Sequence, residues 1–470
     1  MSPAGIMVAA VLSSMALVLP AWAGADTDCC NAIEELQRQI LLLQAQIDEL
    51  KAQQEAQDGD GSDIQVKWQG APEISSADGD FKFKVRGRLY ADYGTMDGHT
   101  FGDPSPDPYN HGTELRTARL GVEGQIFGHT KYRFEADFAG GTDDVEVKDA
   151  YLQWDLSPAS LTIGQFKTPN SLEEQTSSRF TSFMERAAFT DSFGLARQVG
   201  IGVGFKGDNW TLKAGGFGEN LHAETDFEEG WTVAARGTFA PIAVGNKAVH
   251  LGASVRWRWR SEDDPSTDYG VRPLIHMASE KFVGLKGLPV DQDLFWGVEA
   301  AGVWGPVSIQ GEYAMLNVDF EHSTGGLGAF LPGQNFDRTD PDFAGWYIGG
   351  SVFLTGESRT YKADKGAFDR IEVKSPVNDG GMGAWQLALR YDSLDLNDDG
   401  VNLGEQDALV VGINWYFNNY TRLMVNYIRA NVTAPSELTL MLPTGESAII
   451  GGTPTDNDIE SVGVRAQIDW

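Results

Sequence analysis

The sequence predicts an all-β, transmembrane antiparallel β-barrel of about 16 strands, preceded by a short N-terminal α-helical coiled coil. Three observations predict it. The 470 residues include 55 glycines and 11% aromatics at a polar mean hydropathy of -0.27, a mixture that suits many strands and tight turns better than a helical domain. The one uninterrupted apolar run lies near the N-terminus, and no later segment offers the roughly 20 apolar residues of a spanning helix, so a membrane crossing must be a closed barrel. From residue 81 onward apolar and polar residues alternate, in segments joined by short turns and long loops in turn.

Residues 1–23, MSPAGIMVAAVLSSMALVLPAWA, carry an apolar core that ends in the small-x-small pattern Ala21-Trp22-Ala23. They read as a signal peptide, although no Lys or Arg precedes the apolar run; a permanent anchor is the alternative. Residues 24–57 read as a periplasmic coiled coil. Ile33, Leu36, Ile40, Leu43, Ile47 and Leu50 alternate by three and four, the spacing of a heptad seam. Ile at a with Leu at d favours two strands, whereas a barrel trimer imposes three; a single amphipathic helix on another surface is the other reading. The two cysteines, Cys29 and Cys30, are adjacent, without metal-ligand spacing, and in an oxidising periplasm could cross-link subunits. Thr27-Asp28 makes a poor lipobox. Residues 58–80 are polar and small, as a linker is.

The barrel is expected over 81–470. In 81–93 one face is Phe, Phe, Val, Gly, Leu, Ala, Tyr and the other Lys, Lys, Arg, Arg, Tyr, Asp, which is apolar-out and polar-in. Comparable segments fall near 115–126, 130–139, 147–156, 161–167, 198–207, 209–218, 230–239, 247–260, 294–304, 306–317, 343–355, 384–395, 407–417, 421–431 and 459–470. An even count places both barrel ends on one side, and hence the coiled coil in the periplasm. Residues 356–383 occupy the place of a short turn, so either the register slips there or the segment is a structured excursion. The last strand alternates cleanly and ends on Trp470.

About thirty residues after Lys167 show no sustained strand pattern, a length that ordinary connections avoid. This loop, 168–197, is expected to fold into the bore. It holds Ser177, Ser178, Arg179 and Arg186, with Lys167 at its root and Arg197 at its end, all able to donate hydrogen bonds to an anion. Strand parity places Lys84, Arg86, Arg88, Arg119, Arg133, Arg256, Arg258 and Arg260 on the inward face, where acids are fewer. Trp257 and Trp259, between the last three arginines, then face lipid. The predicted bore is therefore basic inside a chain whose net charge is -31. That net charge excludes a nucleic-acid partner, which needs clustered Lys and Arg on a surface.

The stretches FKFKVRGRLYADYG (81–94), LTIGQFKTPNSLEEQTSSRFTSFMERA (161–187), LTGESRTYKADKGAFDRI (354–371) and VGINWYFNNYTRLMVNYIRA (411–430) resemble the phosphate-selective porins O and P. So do KDAYLQW (148–154), FWGVEAAGVWGPVSIQGEYAML (295–316) and GAWQLALRYDSLDLNDD (383–399), in the same order along the barrel. The resemblance implies a sixteen-stranded trimeric outer-membrane porin whose third external loop narrows the pore and whose arginines and lysines bind phosphate. Two departures stand out. Arg116-Thr117-Ala118-Arg119 keeps one of the family's paired arginines and replaces the other by Thr117 and a tyrosine by Arg119; Thr176-Ser177-Ser178-Arg179 keeps the hydroxyls and the charge.

No enzymatic constellation, cofactor motif or metal-ligand spacing appears. Asp395-x-Asn397-x-Asp399-Gly400 begins like a calcium loop but has Gln406 where a bidentate Glu is needed. The expectation is a non-enzymatic outer-membrane porin, a homotrimer in contact with membrane lipid, passing small anions such as phosphate or polyphosphate without a cofactor. A general, weakly selective porin, or a structural tether to the cell wall through the coiled coil, are the alternatives.

Overall fold

The computed structural model describes residues 64–68, 70–100, 111–139, 145–218, 229–261, 266–278, 281–320, 340–398, 401–434, 437–441, 447–451 and 455–470. The chain divides into two units, Met1–Asp63 and Ile64–Trp470. In the first only Arg38, Gln39, Leu42, Ala45 and Glu49 are described, all helical and exposed. The expected signal peptide, the heptad seam and Cys29 and Cys30 lie outside the described residues.

Sixteen strands close the barrel of the second unit. They are β1 (Lys82–Thr100), β2 (His111–Ile126), β3 (Thr130–Asp137), β4 (Glu146–Leu156), β5 (Ala159–Lys167), β6 (Arg197–Lys206), β7 (Trp210–Gly218) and β8 (Trp231–Val244). Then follow β9 (Lys247–Trp259), β10 (Val283–Trp304), β11 (Val307–Phe320), β12 (Asp342–Phe353), β13 (Ala384–Asp398), β14 (Val401–Tyr416), β15 (Thr421–Ala434) and β16 (Thr455–Asp469). Each pairs antiparallel with its neighbours in sequence, and β16 returns to β1 with Asp469 opposite Arg88, so the sheet closes and the barrel has no edge. At the seam Trp470 and Gly87 exchange two backbone hydrogen bonds of 3.0 and 3.2 Å. A Cβ on Gly87 would stand 2.3 Å from the Trp470 ring, so only glycine admits the closing residue.

Alternation decides the two faces. Leu89, Phe134, Ile201, Leu251 and Ile309 are exposed on the outer wall. Trp257 stacks on Trp259 at 4.2 Å and Trp259 on Trp231 at 4.4 Å, an aromatic group of the kind found at membrane interfaces. Inside, the polar face holds only part of the height. Toward the long-loop end the inward positions turn apolar, at Leu316, Val318 and Phe320 on β11, Leu394 and Leu396 on β13 and Val401 and Leu403 on β14. The sequence reading stops several strands early for this reason: β10 begins at Val283, with Leu288 and Val290 buried inward, where the apolar-out, polar-in signature is absent.

The segment 354–383 is an excursion, because β12 and β13 pair without a slip from Ala344 opposite Asp395 to Phe353 opposite Gln386. It carries a small hairpin, Thr360–Lys362 with Ala367–Asp369. The stretch expected to be a linker contains a hairpin of its own, Ile64–Trp68 with Pro72–Ser76, whose second strand pairs with the start of β1.

Candidate functional site: a basic channel beside a clamped loop

The loop between β5 and β6 lies inside the barrel, and the inward side chains of β9 to β16 hold it there. Arg422 donates to the carbonyls of Thr181 and Ser178 at 2.7 and 3.3 Å, and Gln467 to that of Arg179 at 3.2 Å. Asn414 donates to Ser182 at 2.9 Å, Arg465 to Met184 at 2.5 Å, and Arg390 to Glu185 and Arg186 at 3.1 and 3.2 Å. Arg256 takes the carbonyls of Phe193 and Gly194 at 2.7 and 3.1 Å. Loop N–H groups find wall acceptors as well. Leu172 and Glu173 donate to the two oxygens of Glu312 at 2.9 and 2.7 Å, and Ala188 to Asp392 at 3.1 Å. An irregular segment buried inside a barrel must satisfy its backbone in this way. Phe183, Phe189, Phe193 and Leu195 complete the attachment by joining the apolar mouth of the barrel with Phe295, Leu316 and Phe343.

Pressed to one side, the loop leaves a cavity of about 460 Å³ between itself and β1 to β7. Ten cationic side chains line it, Arg86, Arg88, Arg119, Arg133, Lys167, Arg179, Arg186, Arg197, Lys213 and Lys365, against two carboxylates, Asp149 and Asp369. Other acids stand behind the guanidiniums. Glu135, fully buried, meets Arg86 and Arg88 at 2.9 Å and Arg119 at 3.4 Å, while Glu123 meets Arg133 at 2.7 Å and also pairs with Arg86. Ser178 accepts from Arg88 at 2.9 Å, and Ser177 accepts from Arg179 at 3.4 Å. Arg186 braces the loop itself by donating to the carbonyls of Glu173 and Thr176 at 3.0 Å. Burial, with the charges of Arg88 and Arg86 beside it, brings Arg179 down to about 10, so it stays cationic at neutral pH.

The excursion from the short-turn end supplies a further part of the cavity wall. Its Gly366 carbonyl accepts from Arg236 at 2.8 Å, the Tyr361 hydroxyl pairs with His250 at 2.6 Å, and the Phe368 N–H donates to the Thr176 hydroxyl at 3.4 Å. Lys365, Phe368 and Asp369 thereby reach the cavity.

Of the residues expected along an anion path, Arg86, Arg88, Arg119, Arg133, Lys167, Ser177, Ser178, Arg179 and Arg186 come together around the cavity. Five stand elsewhere. Arg256 and Arg258 share Asp293, each with a 2.9 Å contact, and Arg256 is spent on the loop. Arg260 donates to the Ser266 carbonyl at 2.6 Å, past the end of β9. Arg116 pairs with Glu185 at 3.0 Å, away from the cavity. Lys84 is on the inward face without an ion pair among the described residues. Sequence reasoning missed Lys213 and Lys365. The first was readable from parity, since Thr211, Lys213 and Gly215 share a face; the second announces itself only through the length of the excursion.

Residues 83–439 match the family model described as phosphate-selective porin O and P. An uncharacterised protein of Caulobacter vibrioides is 32% identical over 373 residues, which cover 77% of this chain and 71% of that one. Porin O of Pseudomonas aeruginosa is 28% identical over 407 residues, covering 79% of this chain and 88% of its own. Among solved structures, an anion-selective porin from Comamonas acidovorans shares the fold at a TM-score of 0.50 and 11% identity, over 83% of this chain and all of that one. With its closed sixteen-stranded barrel, inward loop and family match over most of its length, this chain belongs to the phosphate-selective porin O and P family of outer-membrane porins.

Proposed function

We propose that the chain forms a passive pore for small anions, phosphate or polyphosphate among them, working as a homotrimer with its N-terminal segment in the periplasm. The observation that carries this reading is the ratio of ten cations to two carboxylates around the cavity, in a chain whose overall charge is -31. Guanidinium and ammonium groups on several strands offer a hydrated anion successive partners, and the acids behind them keep any one rung from becoming a deep trap. The family description supports phosphate as the preferred anion, as do the Ser177 and Ser178 hydroxyls set among Arg88, Arg133, Lys167 and Arg179 around the cavity.

The test is chloride current through single channels in a planar bilayer as inorganic phosphate is added. Phosphate that dwells at the rungs lowers the chloride current at concentrations well below that of chloride. Chloride current insensitive to phosphate would overturn the phosphate preference.

A further inference from the structure

The hairpin Ile64–Trp68 and Pro72–Ser76 presents a surface unlike the rest of the barrel. Its first strand pairs only with its second among the described residues, so it is an open edge. Ile64, Val66 and Trp68 project from one face of that strand and are 64%, 63% and 75% exposed. Register extends the apolar row inward: Val66 stands opposite Ile74, and Ile74 opposite Phe83 at the start of β1. Phe81 and Phe127, in edge contact at 5.6 Å and both exposed, continue it.

Neither solvent suits this surface. Water disfavours a contiguous row of large apolar side chains. Hydrocarbon disfavours the unpaired N–H and C=O groups of an open edge, which lipid cannot satisfy. A protein partner that covers the apolar face and approaches the edge satisfies both. The sequence indicates which partner. The heptad seam ends at Leu50, and the 13 residues from 51 to 63 reach at most about 45 Å, so a seam that joins copies of this chain tethers their hairpins within reach of one another.

We infer that the apolar face and free edge of the 64–76 hairpin form a contact with a second copy of this chain. The inference rests on the homo-oligomer proposed above and gives it a surface. A handful of side chains falls short of the area of a stable complex, which fits a contact acting together with the seam.

The experiment uses the full chain in detergent, with Val66→Asp and Trp68→Asp combined, and reads oligomer mass by light scattering alongside β content and single-channel conductance. The expected result is a rise of about ten-fold or more in the concentration needed for assembly, with β content and conductance per barrel unchanged. An oligomeric wild type with an equally oligomeric variant overturns the hairpin contact and leaves the oligomer standing. A monomeric wild type overturns the oligomer itself, and the contact with it. Quenching of Trp68 fluorescence by brominated lipid, measured as the difference between wild type and Trp68→Phe, would assign the face to membrane and overturn the inference.

Discussion

The guanidinium of Arg422 donates to the backbone carbonyl of Thr181 across 2.7 Å, and the same side chain reaches Ser178. An arginine on the inward wall of a pore is thus a structural clamp. Replacing it with Met strips the buried Thr181 carbonyl of its donor, at about 1–3 kcal/mol, and the part-buried Ser178 carbonyl with it. Arg422→Met should show a larger and noisier single-channel conductance with little change in anion preference. A quiet channel with reduced preference would place Arg422 on the path.

Glu135 gathers Arg86, Arg88 and Arg119 on one carboxylate. Glu135→Gln removes the charge that balances three guanidiniums, so anion preference should rise while stability falls by about 3–5 kcal/mol, the usual cost of breaking a buried pair. Reversal potential and the thermal loss of β-sheet circular dichroism read the two effects.

Gly366 has a φ of +63° and packs so closely that a Cβ would lie 2.8 Å from the Thr238 hydroxyl. Gly366→Val should unseat the excursion and withdraw Lys365 from the cavity. The expected signature is higher conductance with weaker anion preference, in a barrel whose β content is preserved.

Acid should loosen the loop late. Burial works to raise Glu174 and Glu185, but Arg186 and Lys167 at the first, and Arg116 and Arg465 at the second, hold both below the ordinary carboxylate range. A carboxyl with a depressed folded pKa contributes its full stability above its unfolded value, about 4.3 for Glu, and loses it as pH falls through the folded one. Open-channel noise should therefore match at pH 7 and pH 5 and grow only below about pH 4. Growth already between pH 7 and 5 would contradict these pairings.

Strand parity with turn spacing was enough to locate a segment of each of the sixteen strands, because a one-residue slip would turn Arg86 and Arg88 into lipid and Leu89 into the lumen. Parity could not separate path from clamp. Both kinds of arginine face inward, and what marks the wall clamps is that loop carbonyls lie within reach, as they do for Arg422, Arg465, Arg390 and Arg256. An acid across the sheet is common to both kinds: Arg465 stands opposite Asp92, Arg88 between Asp469 and Arg119, and Arg119 opposite Asp137. Nor does the loop's own sequence show which carbonyls it offers, since a backbone acceptor leaves no trace in residue type.

The most direct measurement is the reversal potential of the wild-type pore in a planar bilayer under a KCl gradient. Ten cations against two carboxylates around the channel predict a potential of the sign that makes chloride the more permeant ion. A potential of the opposite sign, with potassium the more permeant ion, would contradict the account.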